Sequence, residues 1–391
     1  MNRQLLINAC VVCPGEKTFS GSVLIENGRI ASLNPTQTPP DATTFDCAAR
    51  LLTPGLIDVH THGIERCCYS YNRPAGEFAD ALRTLPRYGT TCVLPTIVPP
   101  TDPDLFAPLA DAMKSLPSDG AVVPGLHIEG PFVALGGAAC PTLPGDVALL
   151  EKFLNACGGR VSVMSVSPDQ KNILPVIENL VARKIIPFIT HTRASVEQTE
   201  AAIEAGARHA THFYDVFPVP EEKDAGVRPV GAIEAILADP RASVDFICDG
   251  VHVHPTAIRA AVAAKGWQRV LLITDSNIGA GLPPGEYDTP WGYRVRVKAG
   301  DAARHVTQGF LAGSALTMNV GIKNLLHWLG GSLAPEQIWA LGTLNPANLL
   351  GLANKGRIAI GADADLVLWD EELDAIKTWI SGKMVFDRNQ T

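Results

Sequence analysis

Two histidines, His60 and His62, stand one residue apart at the end of the apolar run Leu56-Ile57-Asp58-Val59, and Gly63 follows them. Side chains alternate faces along a strand, so the two imidazoles point the same way. Imidazole is the commonest metal-ligating side chain, and two on one side of a strand end can hold one ion together. An isolated pair is equally the pattern of one core histidine beside a solvated one, so the metal reading needs partners elsewhere. They end other apolar runs: Glu129 closes VVPGLHIE, His191 closes IIPFITH, His212 closes ARHATH, Asp249 and His252 follow VDFIC, and Asp275 closes VLLITD. Ligand-type residues at the ends of so many separate runs point to one shared site. His127, His209, His254, His305 and His327 lack that placement; His209 is odd-spaced from His212 and should face the other way.

Imidazoles with carboxylates suit Zn²⁺, and also Fe²⁺ and other divalent ions, at open catalytic positions. Such an ion brings the pKa of water from about 15.7 towards 7 and polarises a carbonyl. A carboxylate beside that water can take its proton and pass it to a leaving amine. Asp275, at the last run, is the candidate general base and acid, and the reaction class is hydrolysis of an amide or related C–N bond.

The elements that must position these residues can be read from the pattern. Apolar runs at 56–60, 91–96, 122–128, 161–165, 186–190, 208–212, 244–248 and 269–274 alternate with helix-like segments such as AGEFADALRTLPRYG, DPDLFAPLADAMKSL, ILPVIENLVARK and SVEQTEAAIEAG. Eight strands alternating with helices predict a (β/α)8 TIM barrel, whose chemistry gathers where strands end. The first fifty residues and the last forty are instead strand-like, with turns at Glu26-Asn27-Gly28, Gly361-Ala362-Asp363 and Ser381-Gly382. The expected organisation is a small β-sandwich from both chain ends, residues 1–52 and 353–391, around a barrel of residues 53–352.

The chain has 391 residues, a formal charge of −8 and 46% apolar residues, which fits an α/β enzyme of this size and argues against a nucleic-acid partner. No run approaches the roughly 20 apolar residues of a membrane span. The first residues lack signal-peptide features, and the nine scattered cysteines suit a reducing compartment, so a soluble cytoplasmic protein is expected. Cys10-Val-Val-Cys13 lies in a probable strand without a second pair and reads as structural.

The stretches PGLIDVHTHG, GLHIEGPF, ITHTRA, ATHFYDVF, DGVHV, LLITDS, LAGSALTM and GADADLVLWD occur in that order over essentially the whole chain. Together they resemble the amidohydrolase superfamily and, within it, the N-acetylglucosamine-6-phosphate deacetylase branch. The resemblance implies a metal-dependent barrel, usually dimeric, that releases acetate and glucosamine 6-phosphate. It implies that Glu129, His191 and His212 hold the principal ion, that His60 and His62 offer a second position, and that Asp275 is the acid/base. Substrate would be bound by His252 and by the chain around Asp215-Val216 and Leu311-Ala312.

The substrate loops depart from the branch. Where it has a basic loop ending in Gly-Ala-His, this chain has VALGGAACPTLPG; YDVF replaces Tyr-Asn-Ala-Met; and Arg193 follows His191-Thr192. The branch's phosphate-binding arginine has only a shifted counterpart, Arg228 in GVRPVGAI. A divergent amidohydrolase acting on another N-acyl amine, an N-acyl amino acid or a cyclic amide without phosphate is therefore the alternative. A catalytically silent barrel would be expected to lose ligands, and a nucleobase deaminase would need a His-x-x-Glu after the fifth or sixth strand, where this sequence has none.

Overall fold

The computed structural model describes residues 3–137 and 140–390. Eight parallel strands form the centre: Leu56–Thr61, Thr90–Ile97, Leu126–Glu129, Val161–Val166, Ile186–Ile189, His209–Ala210, Ser243–Ile247 and Val270–Ile273. They pair consecutively from the first to the eighth. The first two are buried along their whole length, the pattern of a parallel sheet covered on its outer face by helices. A helix follows each strand: Ala75–Thr84, Ala107–Lys114, Val147–Ala156, Ile173–Ala182, Val196–Glu204, Ala232–Ala238, Pro255–Lys265 and Met318–Leu329. Local sequence sets their starts. Ser195 caps Val196–Glu204 in a reciprocal box with Gln198, and the Asp146 carboxylate accepts from Ala148 and Leu149 N–H.

The seam between the eighth and first strands carries no regular ladder. It is bridged by Asp275 N–H donating to the His60 carbonyl at 2.8 Å and by the buried carboxylate of Asp58. That carboxylate accepts from Thr274 Oγ1 at 2.6 Å, Thr274 N at 3.3 Å and His60 N at 3.2 Å. The one charged residue inside the apolar run Leu56–Val59 thus ties the barrel together beneath its mouth.

Strands Arg3–Cys13, Lys17–Glu26, Arg29–Leu33, Thr43–Asp46 and Leu51–Pro54 join Leu366–Trp369, Ala375–Ile380 and Lys383–Asp387 in one mixed sheet with its own core, including Leu6, Val23, Ile25 and Trp379. The Asn27-Gly28 and Ser381-Gly382 turns all have positive φ. The first joins the strands Lys17–Glu26 and Arg29–Leu33, as the sequence signal implies. The two turns pack so closely that a Cβ on Gly28 would lie 2.7 Å from the Ser381 carbonyl. Trp369 joins this sheet to the barrel: its indole N–H donates to Thr53 Oγ1 within the sheet at 2.8 Å, and its ring lies 5.6 Å from that of Trp339 in the barrel's core cluster.

Two differences from the expected elements have clear causes. The third strand begins at Leu126 rather than 122, because Pro124 offers no N–H and Gly125 follows it. The stretch after the eighth strand holds an antiparallel sheet of Gly285–Asp288, Arg294–Val297 and Arg304–His305, which sequence reading left without an element. Among the described residues no helix is long and apolar enough to cross a membrane, and all nine cysteines are free.

Replacing Trp369 with Ala removes a fully buried ring at the junction between sheet and barrel and should cost about 3–5 kcal/mol. Denaturant unfolding measures this, and a loss below about 1 kcal/mol would show that the junction carries little of the fold's stability.

Candidate active site

The residues at the strand ends converge. The Glu129 carboxylate, at the end of the third strand, lies between two pairs of imidazoles. Its Oε1 is 3.3 Å from His191 Nε2 and 3.1 Å from His212 Nε2; its Oε2 is 3.1 Å from His62 Nε2 and 3.7 Å from His60 Nε2. Asp275 Oδ1 lies 3.5 Å from His60 Nε2 and 3.3 Å from His62 Nε2. All six side chains are buried. The backbone bends to present them: His191, His212 and Asp275 have φ of 49°, 34° and 46°, a region that non-glycine residues rarely occupy.

A second layer fixes the rings. His60 Nδ1 bonds Thr211 Oγ1 at 2.8 Å, His62 Nδ1 bonds the Thr96 carbonyl at 3.2 Å, and His191 Nδ1 bonds the Leu135 carbonyl at 2.9 Å. Each of these three bonds occupies Nδ1 and leaves Nε2 directed at the carboxylates, the arrangement that orients imidazole ligands. Beneath them, His127 is held by the Val59 carbonyl at 3.0 Å and Ser165 Oγ at 2.7 Å. His209 turns away from the mouth to Asp245 Oδ2 at 2.8 Å, while Asp245 Oδ1 accepts the His212 N–H at 2.5 Å.

The cluster's electrostatics favour a cation. Burial disfavours the charged forms, yet the facing groups outweigh it. Glu129 and Asp275 raise the His62 ring to about 10, and Glu129 does the same for His212, also about 10. In return the imidazoles hold Glu129 well below the usual carboxylate range and lower Asp275, so both stay ionised despite burial. His60 Nε2 is buried without a hydrogen-bond partner although it faces both carboxylates. An orphaned imidazole nitrogen beside two buried carboxylates fits a metal ligand. The sets His60-His62-Asp275 and His60-Glu129-His212 each bring their ligand atoms within 4.8 Å of one another, so the cluster is able to hold a metal ion.

A cavity of about 500 Å³ opens above the cluster. Asp215, Val216, His252, Leu311 and Ala312 line it. The His252 Nδ1 is held by Asp249 Oδ2 at 2.7 Å, which leaves Nε2 for a ligand. Arg228 is not brought there. Its guanidinium is exposed and paired with Glu234 at 2.6 Å, because residues 221–228 run over the surface ahead of the helix Ala232–Ala238. Sequence reading also missed a wall of the cavity. Trp291 and Tyr293, from the antiparallel insertion, stack with ring centroids 6.1 Å apart, and Trp291 stands edge-on to His62 at 6.1 Å. The aromatic pair in TPWGY beside a turn was the only available signal.

Gly137 and Cys140, from the stretch after Glu129, pack on the site. Cys140 lines the cavity and its thiol donates to the Glu129 carbonyl at 3.1 Å. A Cβ on Gly137 would come within 2.6 Å of the His191 ring, so only glycine fits there without displacing that imidazole.

Residues 51–385 match the amidohydrolase family. An N-acetylglucosamine-6-phosphate deacetylase of Vibrio furnissii is 33% identical over 93% of this chain and 90% of its own. The enzyme of the same name from Bacillus subtilis is 30% identical over 99% of this chain and 98% of its own. The solved structure of a mutant N-acetyl-D-glucosamine-6-phosphate deacetylase from Mycobacterium smegmatis, in complex with N-acetyl-D-glucosamine-6-phosphate, superposes with a TM-score of 0.84 at 26% identity, covering 98% of this chain and all of that one. With its metal-capable cluster at the mouth of a (β/α)8 barrel and a β domain built from both ends, this chain belongs to the amidohydrolase family.

Proposed function

We propose that the protein deacetylates N-acetylglucosamine 6-phosphate or a related N-acetyl amino-sugar phosphate, using one or two divalent ions, Zn²⁺ foremost. The observation that carries this reading is the single cavity in which Glu129, His191 and His212 face Asp275 and His252. Near full-length similarity to deacetylases supports it. Glu129, His191 and His212 would hold the principal ion, and His60, His62 and Asp275 a second. An ion held there supplies Lewis acidity, lowering the pKa of water and polarising the carbonyl under attack.

The protein's own groups do the rest. The Asp275 carboxylate is ionised and faces the cavity, where it accepts a proton from the attacking water and returns it to the departing amine. Trp291 and Tyr293 offer flat apolar faces against which a pyranose ring can lie and exclude water. His252 Nε2 and the backbone at Asp215-Val216 and Leu311-Ala312 orient the sugar. A homodimer fits the exposure of Val219, Val227 and Val230 along one surface segment, at 75%, 60% and 55%. Nine free thiols fit a cytoplasmic location.

One observation favours a second reading, a divergent amidohydrolase acting on an N-acyl amine, N-acyl amino acid or cyclic amide without phosphate. Among the described residues that line the cavity, none is Arg or Lys. A panel of acylated amines assayed with metal-reconstituted enzyme separates the two readings: acetate release from N-acetylglucosamine 6-phosphate selects the first, and turnover of other amides without it selects the second.

Asp275→Asn should lower kcat at least roughly a hundredfold while the folded protein retains its principal ion. Acetate release with metal analysis measures both, and a kcat near that of the parent would remove Asp275 from proton transfer. Stripping the metal with a chelator should abolish hydrolysis and added Zn²⁺ should restore it. If a second ion works at His60 and His62, His62→Ala should reduce both the ion count and kcat. An unchanged kcat with one ion per chain would eliminate that second site.

A further inference from the structure

A sugar phosphate brings a dianion into a cavity among whose described lining residues none is Arg or Lys. A guanidinium or ammonium for its phosphate would have to come from next to the cavity. A second depression of about 590 Å³ adjoins it and shares Val216 as a wall. Leu135 and Gly136 form another side, and the Leu135 carbonyl is the group that holds His191 Nδ1. Its polar side chains are Arg193, Thr142 and Tyr214, and among the described residues no carboxylate lines it. In a chain with a formal charge of −8, a groove with one guanidinium, two hydroxyls and no acid is set up for an anion.

Arg193 is held ready for that role. Its backbone N–H donates to Asp169 Oδ2 at 3.0 Å, and Thr192, its neighbour, donates its hydroxyl to Asp169 Oδ1. Thr192 N–H is bonded to the Val216 carbonyl at 3.2 Å. Asp169 is thereby committed to main chain and hydroxyl, and among the described residues no carboxylate pairs with the Arg193 guanidinium, which lines the groove and is exposed. Arg228, by contrast, is neutralised by Glu234.

Resting on the sugar-phosphate reading above, we infer that Arg193, with Thr142 and Tyr214, forms the subsite for the substrate's anionic group, so that phosphate selectivity is set in the adjoining groove. The same chemistry would accept a carboxylate. Full-length, metal-reconstituted parent and Arg193→Gln enzymes are compared on N-acetylglucosamine 6-phosphate and on unphosphorylated N-acetylglucosamine. Loss of one charge-assisted contact should lower kcat/KM for the phosphorylated sugar roughly ten- to hundredfold, mainly through KM, and leave the neutral sugar unchanged. Arg193→Lys should recover part of the loss. Equal losses on both sugars, or none on the phosphorylated one, overturn the subsite. If the parent fails to hydrolyse the sugar phosphate, the functional reading falls separately. The subsite is then decided on N-acetyl amino acids against their neutral amides: a loss confined to the carboxylates supports it, and equal or absent losses overturn it.

Discussion

The Glu129 carboxylate shared between two pairs of imidazoles is the interaction around which this barrel is organised. A buried carboxylate is costly unless opposite charge and hydrogen bonds compensate it. Here two such groups, Glu129 and Asp275, sit at the mouth of a barrel otherwise filled with Val, Ile, Leu and Phe. Four imidazoles answer them, and each imidazole demands its own support. Hence the layer of Thr96, Thr211 and the Leu135 carbonyl behind the rings, and below it His127, Ser165, His209 and Asp245. Protons or a divalent cation can both supply the positive charge. The unpaired His60 Nε2, which faces both carboxylates, fits the cation.

The same requirement explains the seam. Asp58 belongs to the strand that delivers His60 and His62, and its carboxylate holds Thr274 next to Asp275. Closure of the barrel and alignment of the cluster's two halves are therefore one set of hydrogen bonds. A shift at the seam would move His60 and Asp275 apart, since the His60 carbonyl accepts the Asp275 N–H.

Much of this was legible in the chain because period-two alternation and strand ends are local properties. His60 and His62 share a face, His209 and His212 do not, and Glu129, His191, His212 and Asp275 each follow an apolar run. The two-ended β domain was legible from its turns, Asn27-Gly28 and Ser381-Gly382. What escaped depends on long-range packing. Trp291 and Tyr293 reach the cavity only because the insertion after the eighth strand folds back over it. Arg228 looked close to its expected place in sequence, but one exposed stretch carries it to Glu234. Thr211 as a support for His60 lies 151 positions away, a distance that no motif spans.

The left-handed backbone at His191, His212 and Asp275 has a consequence for how such a protein ages and evolves. Each non-glycine residue held in that region costs of order 1–3 kcal/mol, and the surrounding barrel absorbs it. Glycine at any of these positions would relax the chain while deleting a side chain of the metal-capable cluster. Drift towards sturdier folding and persistence of the cluster thus pull in opposite directions at the same three positions, and a lineage released from selection on the cluster would be expected to change there first.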